Sequence, residues 1–186
     1  MTIQHKTQSP TAKELLDSVD REIAKDDARR LAELEEISIG YRLGDVVEFG
    51  GELPLFVRKM NGFSQPEGTH QWSLGVSSSM ELILDQPFQD PVLLAAKFAP
   101  FVSPVKKCQS VSLGVNGALV ASWDANQEDD YYAIVPATRN PIDRSLHIHL
   151  YTPDAAKPSD VFDSQDGRCL GVALCQLSIR NLSEAV

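Results

Sequence analysis

Gln109-Ser110-Val111-Ser112-Leu113-Gly114-Val115 runs directly into Asn116-Gly117 and then Ala118-Leu119-Val120-Ala121-Ser122-Trp123. Successive side chains of an extended strand point to opposite faces, so Val111, Leu113 and Val115 share one side. Asn-Gly between two apolar runs is the signature of a two-residue type I′ turn, whose central residues both need positive φ. The stretch therefore predicts a β-hairpin with one buried face. The same alternation places Met80, Leu82 and Leu84 on one face, and Leu146, Ile148 and Leu150 on another. Working outward, strand candidates are 39–49, 71–76, 79–84, 92–98, 109–115, 118–123, 131–135, 145–151 and 169–179. Nothing after residue 40 has the pattern of a crossover helix, which argues against an α/β fold. Short alternating runs separated by turn signals predict an all-β fold: an antiparallel β-sandwich, jelly-roll-like, over residues 38–183.

The segment before the strands differs in character. Residues 1–9 are polar and are expected to be disordered. Ser9-Pro10 suits the first turn of a helix, and Thr11 followed by Glu14 has capping-box spacing. Leu15, Leu16, Val19, Ile23, Leu31, Leu34 and Ile37 recur at helical steps, with no glycine or internal proline. An N-terminal α-helix is expected over 10–37. Lys25-Asp26-Asp27 interrupts its apolar stripe. The helix can pack on its own sandwich, stay solvated, or carry a homo-oligomer.

The 186 residues carry a formal net charge of −9. Residues 1–37 supply six bases and nine acids, and the rest eleven and seventeen, so acidity belongs to the whole chain. It argues against nucleic acid and anionic membranes, which attract basic surfaces. No apolar run approaches a membrane span, and the first residues lack the apolar core of a secretory signal. No membrane insertion and a cytoplasmic location are the expectations. Three cysteines (108, 169 and 175) are too few for a disulfide framework, and no CxxC points to zinc.

The most distinctive stretch is Asn61-Gly62-Phe63-Ser64-Gln65-Pro66-Glu67-Gly68-Thr69-His70-Gln71-Trp72-Ser73-Leu74-Gly75. Turn residues surround two large rings and one carboxylate. Such a loop can close the end of a sandwich. It can also bind sugar, since an aromatic face matches the apolar face of a pyranose and a carboxylate accepts from its hydroxyls. Near the C-terminus, Asp166 and Arg168 can form an ion pair that pins the turn before the last strand, with Glu67 as a further partner.

These motifs carry a resemblance. Gly62-Phe63-Ser64-x-Pro66-Glu67 followed by Trp72-Ser73-x-Gly75 resembles a motif of a bacterial β-sandwich accessory domain found with glycosyltransferases and surface-polysaccharide proteins. Lys157 to Val161, then Asp166-x-Arg168-x-Leu170-Gly171, is similar to that family's closing segment. The Val115-Asn116-Gly117 hairpin fits the same order, and the likeness spans about 45–180. Phe63 stands where the family commonly has Trp, and His70-Gln71 where it often has a Gly before the second Trp. The resemblance implies an accessory domain in glycan synthesis, without catalytic residues of its own.

The expected function is thus a non-catalytic interaction module in bacterial cell-surface polysaccharide biosynthesis, with a glycan or a glycosyltransferase-type protein as partner. Phe63, Ser64, Glu67, His70 and Trp72 are its candidate ligand-binding residues. Gly62, Pro66, Gly75, Asp166, Arg168 and Gly171 are the structural residues of the motifs. Alternatives are a carbohydrate-active enzyme using Glu67 with Asp166 or His70, and a structural homo-oligomer assembled through 10–37. No catalytic residue, metal or cofactor is assigned. His147 and His149 share a strand face, the geometry of a metal pair, but no third ligand is evident and a polar outer face is expected. The acidic run Asp124 to Asp130 lacks calcium-loop spacing. No Gly-x-Ser-x-Gly elbow, glycine-rich nucleotide loop or Asp-x-Asp is present.

Overall fold

The computed structural model describes residues 40–138 and 143–184. The expected helix at 10–37 and the polar stretch 1–9 lie outside the described residues. The described residues form two five-stranded sheets. The first contains β1 (Val46–Glu48), β3 (Gln71–Leu74), β5 (Val92–Pro100), β8 (Asp129–Val135) and β10 (Leu170–Asn181). Its order is β1-β10-β5-β8, with β3 pairing the start of β10. The second contains β2 (Val57–Asn61), β4 (Ser77–Ile83), β6 (Gln109–Val115), β7 (Ala118–Ala125) and β9 (Ser145–Tyr151). Its order is β2-β4-β9-β6-β7. Every pairing between named strands is antiparallel, as the all-β sandwich reading requires.

The alternation read from the sequence defines the inner faces. Met80, Leu82 and Leu84, with Val111, Leu113, Val115, Leu146, Ile148 and Leu150, are all buried. From the first sheet Val92, Leu94, Phe98, Val172, Leu174, Leu177 and Ile179 meet them in one core. Asn116 and Gly117 have φ of 49° and 79°, the positive values the hairpin turn requires.

Three elements differ from the sequence reading. β2 was not expected, because Arg58-Lys59 masks its alternation and Lys59 takes a φ of 49°, which shifts its register on β4. The run 39–49 contributes only β1. Tyr41 makes a single parallel bridge to Leu84, and Gly44 then turns the chain at φ 98°. The turn at 157–161 contains a one-turn helix, α1 (Pro158–Val161), opened by proline in its first turn. No described helix is long and apolar enough to cross a membrane.

Candidate functional site

The stretch from Gly62 to Leu74 is a compact hairpin rather than an open loop. Ser64 N–H donates to Trp72 O at 2.9 Å, and Leu74 N–H donates to Gly62 O at 2.7 Å. Trp72 N–H donates to Ser64 Oγ at 3.0 Å. Near the tip, Glu67 N–H donates to His70 O at 2.8 Å, and Gly68 turns at φ 74°. Gly62 has φ 68°, and a Cβ there would lie 2.7 Å from Ser77 O, so only glycine fits. Pro66 is exposed.

This hairpin is tied to the approach to β10 at three levels. Gly75, at φ 70°, donates its N–H to Cys169 O at 2.7 Å. Buried Ser73 accepts Val172 N–H at Oγ, 2.8 Å away. Arg168 completes the connection. Its Nε and Nη2 donate to Asp166 at 3.1 and 2.7 Å, and Nη1 donates to Glu67 Oε1. The two motifs singled out in the sequence therefore meet at one end of the sandwich.

The clamp fixes the charge state of its members. Hydrogen bonding from Arg168 holds the carboxyl groups of Glu67 and Asp166 below their ordinary values of 4.5 and 3.8. The two carboxylates in turn push the guanidinium pKa higher. A glycosidase-like pair needs one carboxyl that retains its proton. Glu67 and Asp166 share one cation and both ionise, so neither has the environment of a general acid.

Folded pKa values below the unfolded ones stabilise the protein above the unfolded pKa, and that contribution is lost as pH falls through the folded values. Stability is therefore expected to decline below about pH 4. Arg168→Met flattens this acid limb in urea titrations at a series of pH values. With Arg168 and Glu67 40% and 34% exposed, water screens the pair. The variant thus lowers Tm near neutral pH by only about 2–4 °C. A limb as steep as that of the parent protein would refute the clamp.

The candidate ligand-binding residues separate into two groups. Phe63 is partly buried against the core. Ser64 is buried, its hydroxyl donating to Gln65 O at 2.7 Å and accepting from Trp72. These two build the hairpin and offer little to a ligand. Glu67, His70 and Trp72 come together at the surface. Trp72 meets His70 edge to face at 5.4 Å and Phe101 at 6.1 Å. Phe101 in turn meets Phe162 at 6.0 Å, and Phe162 is 45% exposed. Phe101 and Phe162 were not anticipated. They lie 29 and 90 positions from Trp72, and only the β3-β10-β5 order and the chain reversal after α1 bring them near it. The result is a ladder of rings beside a carboxylate and a guanidinium, a surface that can hold a polar ligand with apolar faces.

His147 and His149 occupy the exposed face of β9, with Leu146, Ile148 and Leu150 inward, as expected. His147 Nε2 lies 3.9 Å from Glu81 Oε1, and Lys59 Nζ pairs the other oxygen, Oε2, at 2.8 Å. No group of three or more His, Cys, Asp or Glu suited to a metal occurs among the described residues. Cys108, Cys169 and Cys175 are free thiols.

No protein-family model and no curated sequence matches the chain. Several solved structures are similar to it. A family GH115 4-O-methyl-α-glucuronidase aligns at TM-score 0.45 and 11% identity, covering 68% of this chain and 16% of that one. The chain thus spans a small part of that enzyme. A family 35 carbohydrate-binding module from an environmental isolate aligns at TM-score 0.42 and 9% identity, covering 74% and 93% of the two chains. A carbohydrate-binding module of Cellvibrio mixtus lichenase 5A, in complex with cellotriose, aligns at TM-score 0.43 and 8% identity, covering 75% and 98%.

Proposed function

We propose that this protein is a non-catalytic glycan-binding module, acting in the bacterial cytoplasm with a glycosyltransferase-type partner during surface-polysaccharide assembly. The observation that carries the binding role is the ring ladder of His70, Trp72, Phe101 and Phe162 beside the Glu67–Arg168–Asp166 clamp. Rings take the apolar faces of sugars, and the charged groups at their side hydrogen-bond hydroxyls. The setting in polysaccharide assembly rests on the resemblance of the two motifs. The enzyme reading through Glu67 is disfavoured by the clamp, which keeps both carboxylates ionised.

The test is a titration of the full chain with defined oligosaccharides, followed by tryptophan fluorescence and calorimetry, with reducing-end release measured in parallel. Binding without turnover is the expected result. Phe162→Ala removes an exposed ring and raises Kd about five-fold or more, with Tm nearly unchanged. Turnover of any of these sugars, or affinity indifferent to Phe162 and Trp72 alike, would overturn the proposal. Co-purification with candidate transferase subunits tests the partner separately.

A further inference from the structure

The other end of β9 carries a second feature, bordered by the Val115-Asn116-Gly117 hairpin and apart from the loop and closing motifs. A cavity of about 630 Å³ opens where the β6–β7 turn, the end of β8 and the start of β9 converge. That volume falls within the range of small-molecule sites. Val115, Ala118 and Pro136 give it an apolar side. Asn116, Asp143, His147 and His149 give it a polar one.

The local hydrogen bonds show which polar atoms remain for a ligand. Asn116 Oδ1 accepts His147 N–H at 2.8 Å, which fixes the amide and leaves Nδ2 to donate. Asp143 Oδ1 accepts Ser145 N–H at 3.0 Å, leaving Oδ2 to accept. Each imidazole carries two ring nitrogens able to hydrogen-bond, and both histidines stand exposed on β9, His147 with its Nε2 on the side of Glu81 Oε1. Gly114 lies directly across from His149 and has no side chain to shield that ring. No lysine or arginine is among the described lining residues. Among the described lining residues, polar groups thus face an apolar wall, with one carboxylate and no lysine or arginine. These described residues suit an uncharged polyhydroxy ligand, and the Asp143 carboxylate disfavours an anionic one beside it.

We infer that this cavity is a binding site for neutral saccharide units, separate from the ring ladder at the opposite end of β9. The inference rests on the glycan-binding reading and adds a second contact point along the same chain.

The chain has four histidines, and their ring resonances separate the two sites. His70 reports on the ring ladder, and His147 and His149 report on the cavity. The full chain is titrated with cellotetraose, laminaritetraose and maltotetraose, and with tetragalacturonic acid as the charged counterpart. The expected result is movement of the His147 and His149 signals with at least one neutral sugar. His149→Ala then raises Kd by about five-fold. Ala118→Trp, at an exposed position, fills the cavity and abolishes the shifts, while both variants keep the parent Tm. Movement of His70 alone would overturn the cavity site and leave glycan binding standing. Movement of His147 and His149 only with tetragalacturonic acid would overturn the neutral class. Silence at every histidine with every sugar would overturn both proposals.

Discussion

Gly171→Ala is expected to lower unfolding free energy by about 2–4 kcal/mol, combining overpacking with the loss of a buried hydrogen bond. A Cβ at this position would lie 2.5 Å from both Ser73 Oγ and Thr152 Oγ1, and 2.8 Å from Thr152 Cβ. Neither neighbour can yield freely. Ser73 Oγ accepts Val172 N–H, and Thr152 Oγ1 donates to Gly75 O at 3.1 Å. Ser73 and Thr152 are both fully buried. Moving Ser73 therefore strands the Val172 donor away from water. Ser73→Ala alone removes that acceptor and costs about 1–3 kcal/mol. Combined with Gly171→Ala it also relieves part of the clash, so the two costs fall short of adding, a coupling that a double-mutant cycle in urea measures. Full additivity would mean that Gly171 and Ser73 do not share one packing site. The result bears on function, because these residues seat the hairpin that presents Glu67, His70 and Trp72.

The period-two pattern made most of the fold legible. β6 and β9 coincide with the runs read from alternation alone, and Asn116-Gly117 forms the turn its residue types demand. Alternation works there because one face is packed and the other solvated, which is the condition that makes the pattern visible. β2 fails that condition. It is an edge strand, with Arg58 and Lys59 exposed and a positive φ in its middle, so its residues follow local geometry rather than a buried face. The extended reading of 39–49 failed for a related reason. Tyr41 is buried, but it is held by a single parallel bridge to Leu84 and by its hydroxyl, which accepts Ile179 N–H at 2.6 Å, rather than by an extended ladder. At the candidate site, the link from Arg168 to Asp166 was readable from proximity in sequence. Its reach to Glu67 was suggested by the pairing of the two motifs. The ring partners of Trp72 were not readable, since ring contacts between distant segments leave no periodic trace. The cavity beside His147 and His149 was invisible for the same reason. The sequence places those rings on a solvated face, and only the approach of β8 and the hairpin turn sets a cavity beside them.

Phe98→Ala is expected to be the most damaging single change of those considered, costing about 3–5 kcal/mol and lowering Tm by about 10 °C or more. Phe98 is fully buried. Its ring stacks on Tyr131 at 4.0 Å and 13° and meets Trp123 at 6.1 Å. Tyr131 belongs to β8 of the same sheet and Trp123 to β7 of the other, so one side chain joins the two layers. Truncation leaves a cavity lined by rigid rings that cannot close it by rotamer changes, which puts the cost at the upper end for its type. Phe98→Leu keeps most of the volume but loses the stacked contact, so it should fall well short of the alanine cost. Calorimetry on both variants separates volume from ring stacking. A fall of only a few degrees for alanine would mean that Trp123 and Tyr131 move in to fill the space. Phe98 faces the core, away from both the ring ladder and the cavity at the start of β9. Well below its lowered Tm, the alanine variant should therefore bind sugar with the parent affinity, which distinguishes loss of the scaffold from loss of a site.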